Sequence, residues 1–152
     1  MQATGTKCKN FTITMDNRMH KTEGPVVIFD GVCNLCNSTI LFILRHDKRR
    51  VFSFSSLQSN YSKLLMAESE LSGFPDSVIL CENGEMYECS EAIIRIAEIL
   101  GGFYRLAVVF RIIPKSIRDA LYNFIAGHRY QWFGKRESCM IPDLRLSNRF
   151  LP

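Results

Sequence analysis

The sequence predicts an α/β domain with the element order β-α-β-α-β-β-α over residues 25–102, followed by a C-terminal helical extension over 103–152. Three observations carry that reading. An apolar run at 26–30 (VVIFD) breaks at a turn and gives way to helical spacing. A second run at 51–57 (VFSFSSL) alternates as a strand does. An Asn83-Gly84 pair then sits between two more short runs, SVILC and EMYEC.

Each element has its own justification. Residues 26–30 are continuously apolar, as a strand buried on both faces reads, and Gly31 supplies a sharp turn. From Cys33 to His46 the spacing is helical, with Cys36, Ile40, Ile43 and Leu44 on one stripe. The basic run at 47–50 (DKRR) closes that helix where its dipole favours cations. In 51–57, Phe52 and Phe54 share one face and serines the other. Ser56 or Ser59 caps a helix through Tyr61, Leu64 and Leu65 to about Ser69, and Gly73-Phe74-Pro75 breaks it. Asn-Gly between 77–81 and 85–89 signals a hairpin. Ser90 is read as the N-cap of a helix over 91–100, with Ile93, Ile96, Ala97 and Leu100 as its buried stripe and Gly101-Gly102 as its end.

Beyond this, 103–113 and 115–126 both carry helical apolar spacing: Leu106, Val109, Phe110 and Ile113, then Ile117, Leu121, Phe124 and Ile125. Pro114 separates them and suits a first helical turn. No Pro/Ser-rich linker intervenes, so the extension is expected to pack on the domain. Residues 1–24 are read as a disordered N-terminal tail, with a short strand at 11–15 (FTITM).

A chain of 152 residues supports one domain with a genuine core. The net charge of +4 is too mild to argue for nucleic acid. No apolar leader precedes the domain, and the longest apolar candidate, 106–113, is short and contains Arg111. The expectation is a cytoplasmic protein without a membrane or nucleic-acid partner. Its oligomeric state is not set by the sequence. The 6 cysteines run from Cys8 to Cys139 with no export signal, which suits a reducing compartment.

Cys33 and Cys36 enter a helix three residues apart, so their side chains share one side of its first turn. Unsatisfied N–H groups and the positive dipole end favour thiolate there. Cys33 precedes the helix and is expected to be the more exposed, and Cys36 begins the buried stripe. Cys33 is therefore the candidate nucleophile and Cys36 the resolving thiol. Asp30 is close enough to act as a base toward Cys36, or to shape the turn through backbone amides. A half zinc site and two inert buried thiols are the competing readings. Cys81 and Cys89 would complete a zinc site only by an awkward fold. A phosphoryl-accepting aspartate is set aside, because the second acid expected two positions on is Val32.

A βαβ unit followed by ββα, with the cysteine pair just after the first strand, is the thioredoxin/glutaredoxin arrangement. DGVCNLC (30–36) further resembles the DGxCxLC signature of the DCC family of predicted thiol-disulfide oxidoreductases. The resemblance runs over 25–152 and takes in Ser90-Glu91-Ala92, Arg129-Tyr130, Phe133-Gly134, Cys139, Pro142 and Arg149-Phe150. It implies a thioredoxin-like fold and a redox-active Cys-x-x-Cys couple. Asn34-Leu35 stands where thioredoxins carry Gly-Pro. Pro75 is the candidate for the substrate-pairing cis-proline of that fold, although it lies earlier than the usual place. Ser90 and Glu91 mark the helix start that holds the γ-glutamyl carboxylate in glutaredoxins and glutathione transferases. Arg129, with His128, Lys135 and Arg136, is a candidate anion-binding rim, and Cys139 a candidate third thiol. The implied substrate is a protein or small-molecule thiol or disulfide. No metal and no bound cofactor are expected, with glutathione at most a co-substrate. The alternatives are a non-catalytic binding module on the same fold and a glutathione-dependent, transferase-like protein.

Overall fold

The computed structural model describes residues 6–7, 13–15, 18–20, 24–68, 77–135 and 147–151. Strand β1 is Thr6–Lys7, and β2 (Ile13–Met15) pairs with β3 (Arg18–His20) in a separate two-stranded ribbon. The main chain of the domain then runs β4 (Val26–Phe29), α1 (Asn34–His46), β5 (Ser53–Ser56), α2 (Asn60–Glu68), β6 (Ile79–Glu82), β7 (Glu85–Glu88) and α3 (Cys89–Leu100). A 3-10 segment (Gly102–Ile112), α4 (Lys115–Phe133), a second 3-10 turn (Ser147–Arg149) and β8 (Phe150–Leu151) complete it. The predicted β-α-β-α-β-β-α order is present, and the fold is of the thioredoxin-like α/β class.

One six-stranded sheet has the order β1-β7-β6-β4-β5-β8. Its centre, β4, runs parallel to β5 and antiparallel to β6. All four β4 residues are buried, as their unbroken apolar run requires. Successive side chains point to opposite faces. Val26 and Ile28 join Tyr61 and Leu65 of α2 on one side. Val27 and Phe29 join Ile40 and Ile43 of α1 and Ala92 and Ile96 of α3 on the other. The result is three layers, with each buried β4 side chain contributing about 1.5–3 kcal/mol by area removed from water.

Local signals explain most boundaries. The Ser59 hydroxyl accepts the Ser62 N–H at 3.1 Å, so Ser59 is the cap of α2. Asn83 and Gly84 both have positive φ, 51° and 81°, as a two-residue hairpin turn demands. Before β4, a Cβ on Gly24 would sit 2.4 Å from the Val51 carbonyl oxygen. Gly24→Ala is therefore expected to lower stability by about 1–3 kcal/mol, read from the urea midpoint, because backbone must move to admit one methyl.

Three expectations need correction. First, α3 begins at Cys89 with Glu88 as N-cap, so Ser90 lies inside the first turn. The buried face is Ala92, Ile94 and Ile96, while Ile93 is 37% exposed. Second, 102–112 winds as a 3-10 helix. With three residues per turn, Phe103, Leu106, Val109 and Ile112 form one exposed edge. Arg111, on another edge, bonds Glu91 and Glu98 of α3 at 2.7 Å each. Third, α4 extends past the expected end at Ala126 to Phe133, and packs on α3 and α1 with a face other than its apolar stripe. Ile117, Leu121 and Phe124 are more than half exposed. The inward stripe is Arg118, Asp119, Tyr122, Ala126 and Arg129, spaced for one helix face. Four of these are polar anchors: Arg118 to Glu91, Asp119 to Ser90, Tyr122 to the Val78 amide and Arg129 to Asp30.

Two edge strands were not anticipated. β1 pairs antiparallel with β7, and β8 pairs parallel with β5. Arg149 secures the latter by bonding the Asp47 carboxylate and the Phe52 carbonyl (3.0 Å). Asp47 in turn accepts the Val51 and Phe52 amides at 3.2 and 3.1 Å. No helix among the described residues is long and apolar enough to cross a membrane.

Candidate active site

The site begins where β4 ends. The Asp30 carboxylate accepts the Val32 N–H at 3.1 Å, and the Asp30 carbonyl accepts the Cys33 N–H at 3.3 Å. Asn37, buried on α1, reaches back to the Gly31 carbonyl at 2.9 Å. This closed turn delivers Cys33, in extended conformation, as the N-cap of α1. Its Sγ accepts the Cys36 N–H at 3.4 Å, one of the donors that a helix start leaves unspent. Both sulfurs are thiols.

The expected order of exposure is reversed. Cys33 is fully buried and Cys36 only partly so. The cause is a strap from beyond α4. Lys135 forms an antiparallel bridge with Cys33, and Asn34 Nδ2 donates to the Phe133 carbonyl at 2.8 Å. Gly134 allows the reversal with φ 77°, a left-handed value that favours glycine. Burial pushes the Cys36 thiol up to about 12, assisted by the bond to Cys33 and the charge there. Arg129 works against that rise, and Asp30 adds to it. Cys36 is thus the thiol that keeps its proton.

Asp30 is a hub. Besides Val32, it accepts Gln58 Nε2 at 3.2 Å, Arg129 Nη2 at 3.3 Å and the Tyr130 hydroxyl. Arg129 also donates to the Tyr130 oxygen at 2.9 Å. Asp30 is 7% and Arg129 3% exposed, so this is a buried ion pair. Burial alone would raise the Asp30 carboxyl. Hydrogen bonds from Tyr130, Val32 and Gln58, with the Arg129 charge, outweigh it and hold the group below the ordinary carboxylate value.

The remaining candidates fall elsewhere. Ser90 gives its N–H (3.4 Å) and hydroxyl (2.5 Å) to Asp119, an internal carboxylate at the place where one from glutathione was expected. Glu91 pairs with Arg111 and Arg118. His128 stacks between Phe124 and Trp132 on the outer side of α4. Lys135 joins the site through its backbone and holds its ammonium 5.6 Å above the Tyr130 ring. Pro75, Arg136, Cys139 and Pro142 lie outside the described residues. Cys81 is disulfide-bonded, and the Cys89 sulfur lies 3.9 Å from the Asn123 amide oxygen. Among the described residues no three His, Cys, Asp or Glu side chains gather at metal-binding spacing. Sequence reasoning missed Gln58 and Tyr122 entirely. Tyr130 stood beside Arg129 in the family pattern and was the readable signal.

The model of the DCC1-like thiol-disulfide oxidoreductases matches residues 27–135, from β4 through the strap over Cys33. The chain belongs to this family. It is 44% identical over 131 residues to the uncharacterized protein YuxK of Bacillus subtilis (strain 168), covering 84% of this chain and 93% of that protein. It is 40% identical over 119 residues to a chloroplastic DCC family protein of Arabidopsis thaliana, covering 76% of this chain and 68% of the relative. No solved structure matches the chain. Family membership suggests thiol or disulfide substrates, and it embraces the Asp30-Cys33-Cys36 trio together with Arg129 and Tyr130.

Proposed function

We propose that the protein is a thiol-disulfide oxidoreductase in which Cys33 and Cys36 act as one two-electron couple. The observation that carries the reading is the Cys33 sulfur at the N-cap of α1, accepting the Cys36 amide, with the second thiol one turn behind it. A backbone donor and the helix terminus point at the Cys33 sulfur, while Cys36 retains its proton. Cys33 thiolate attacks one sulfur of a substrate disulfide, the S–S bond breaks, and the leaving thiolate takes a proton from solvent. Cys36 then loses its proton, attacks the Cys33 sulfur and releases the second half as a thiol. The substrate gains two electrons, and the protein gains a Cys33–Cys36 disulfide. Attack requires the Phe133–Lys135 strap to give way over Cys33. Asp30 holds the turn and the anchor of α4 as a carboxylate, so we give it a positioning role.

Glutathione enters this reading as an electron donor from solution, since Ser90 is already spent on Asp119. Any compartment that supplies a thiol reductant serves, the cytoplasm included.

The test is a redox titration in which each sample is acid-quenched and unfolded before alkylation and mass spectrometry, so that labelling reports oxidation state and not burial. Cys33 and Cys36 are expected to be labelled together or not at all, with a two-electron slope. A potential range in which one is labelled and the other is not would remove the proposal. In the fully reduced protein near pH 8, Cys36 is expected to alkylate at least about a hundredfold more slowly than a free cysteine of pKa about 8.5.

A further inference from the structure

Between α1, α3 and α4 lies a cavity of about 130 Å³ walled by Leu35, Cys36, Ile93, Tyr122, Ile125 and Ala126. An engineered cavity of about 150 Å³ holds a benzene ring, so this one is sized for a single aromatic or branched-alkyl group. Its walls are almost wholly apolar, and the reactive pair forms one of them through Cys36. Besides the Cys36 thiol, three polar side chains line it, and all are committed; the first, the Thr39 hydroxyl, donates to the Leu35 carbonyl at 3.0 Å. The Tyr122 hydroxyl accepts the Val78 N–H at 2.9 Å, and burial pushes its own ionisation up to about 12, so it remains a neutral donor. The charge of Arg129 is balanced by buried Asp30. An anionic group would find no uncommitted cation here. Ile93 and Ile125, each 37% exposed, leave the cavity open at one rim. Ile125 also belongs to the outward apolar face of α4, so an apolar ligand meets no polar barrier on entry.

We propose that this cavity receives one uncharged aromatic or branched-alkyl group of a low-molecular-weight thiol or disulfide substrate. The proposal rests on the redox reading of the cysteine pair. In the mixed disulfide on Cys33, the retained half of the substrate lays its apolar group into the cavity beside Cys36. Attack by Cys36 then expels it as the thiol. The pocket therefore selects the substrate, and the two sulfurs carry the electrons as set out above.

The probe for binding alone is benzyl methyl sulfide, a thioether of suitable shape that cannot exchange. Titrated into the reduced full chain, it is expected to saturate and to shift the amide resonances of Cys36, Thr39 and Ala126. Ala126→Phe fills the cavity and should weaken binding roughly tenfold or more, the scale of a lost apolar contact. Ile93→Phe, from the opposite and partly exposed wall, should do the same if Ala126→Phe proves unstable. In turnover, dibenzyl disulfide should be reduced faster than bis(2-hydroxyethyl) disulfide, each rate taken relative to a free thiol, by roughly tenfold or more. Ala126→Phe should erase that preference. No saturable binding, shifts confined to Leu121, Phe124 and Trp132, or binding indifferent to both cavity-filling variants would each overturn the pocket. A pair that turns over without thioether binding overturns the pocket alone. Thioether binding in a protein whose cysteines never pair overturns the redox reading alone.

Discussion

Replacing Arg129 with methionine is expected to cost about 3–5 kcal/mol of stability, because it leaves the Asp30 carboxylate buried without its countercharge. Arg129 is the fully buried end of the inward stripe of α4, and Asp30 is the last residue before the cysteine turn. Their bond joins the helical extension to the site. Methionine keeps most of the stem volume, so the loss reports charge and hydrogen bonding more than packing. Asp30→Leu should also lower stability, since it removes the carboxylate that the buried Arg129 guanidinium bonds at 3.3 Å. The double variant Asp30→Leu/Arg129→Met should be markedly more stable than the sum of the two single losses, because neither charge is then left alone. Additive losses in urea titrations would mean that the pair contributes nothing as a pair.

The same pair sets an acid limit. The Asp30 carboxyl lies below its ordinary value in the folded chain. Its stabilising contribution is therefore complete above the unfolded carboxylate pKa and is lost as pH falls through the folded one. Arg129→Met removes one of the groups that lower it, so the folded value rises and acid unfolding begins at higher pH. A second consequence reaches the thiols. Arg129 opposes the rise at Cys36 and Asp30 adds to it. The variant should therefore make Cys36 alkylate still more slowly, which a purely structural tie would not do.

Much of this architecture was readable because local chemistry and global fold agree. The unbroken VVIF run could serve only in a two-sided sheet centre, and β4 is buried throughout. Asn83-Gly84 could hardly be anything but a two-residue turn. The cysteine pair after a strand-ending Asp-Gly stands, as its spacing implied, where β4 gives way to α1. The failures share one cause. On α4 the spacing of Ile117, Leu121, Phe124 and Ile125 gave the right helix, but it does not say which face packs. The stripe that packs is instead fixed by long-range polar partners, Asp119 to Ser90 and Arg129 to Asp30, and periodicity holds no information about these. Cys33 was expected to be more exposed than Cys36, because it precedes the helix. Its cover comes from Lys135, 102 positions along the chain, through a backbone bridge that no side-chain pattern announces. Edge strands of two residues, such as β1 and β8, are too short for alternation to register.

Cys33→Ser and Cys36→Ser should separate the two thiols by kind of defect. Serine at 33 keeps an N-cap oxygen for the Cys36 amide, so the helix start should survive. It removes the only sulfur stabilised by that amide, and reduction of any disulfide substrate should fall by at least about a thousandfold, the scale seen when a nucleophile is deleted. Serine at 36 leaves the first attack intact and deletes the second. Cys33 should then accumulate as a mixed disulfide with the substrate thiol, visible as a stable mass increase of that thiol less a proton. The Cys33→Ser protein should show no such adduct at residue 36 on the same timescale, because burial still holds that thiol protonated. Loss of the bond to Cys33, and of the charge there, should nevertheless lower its pKa and quicken its alkylation relative to the reduced wild type. If instead Cys33→Ser traps substrate on Cys36 and Cys36→Ser traps nothing, the roles are exchanged. The partly exposed sulfur would then be the nucleophile, and the strap over Cys33 would shield the resolving thiol.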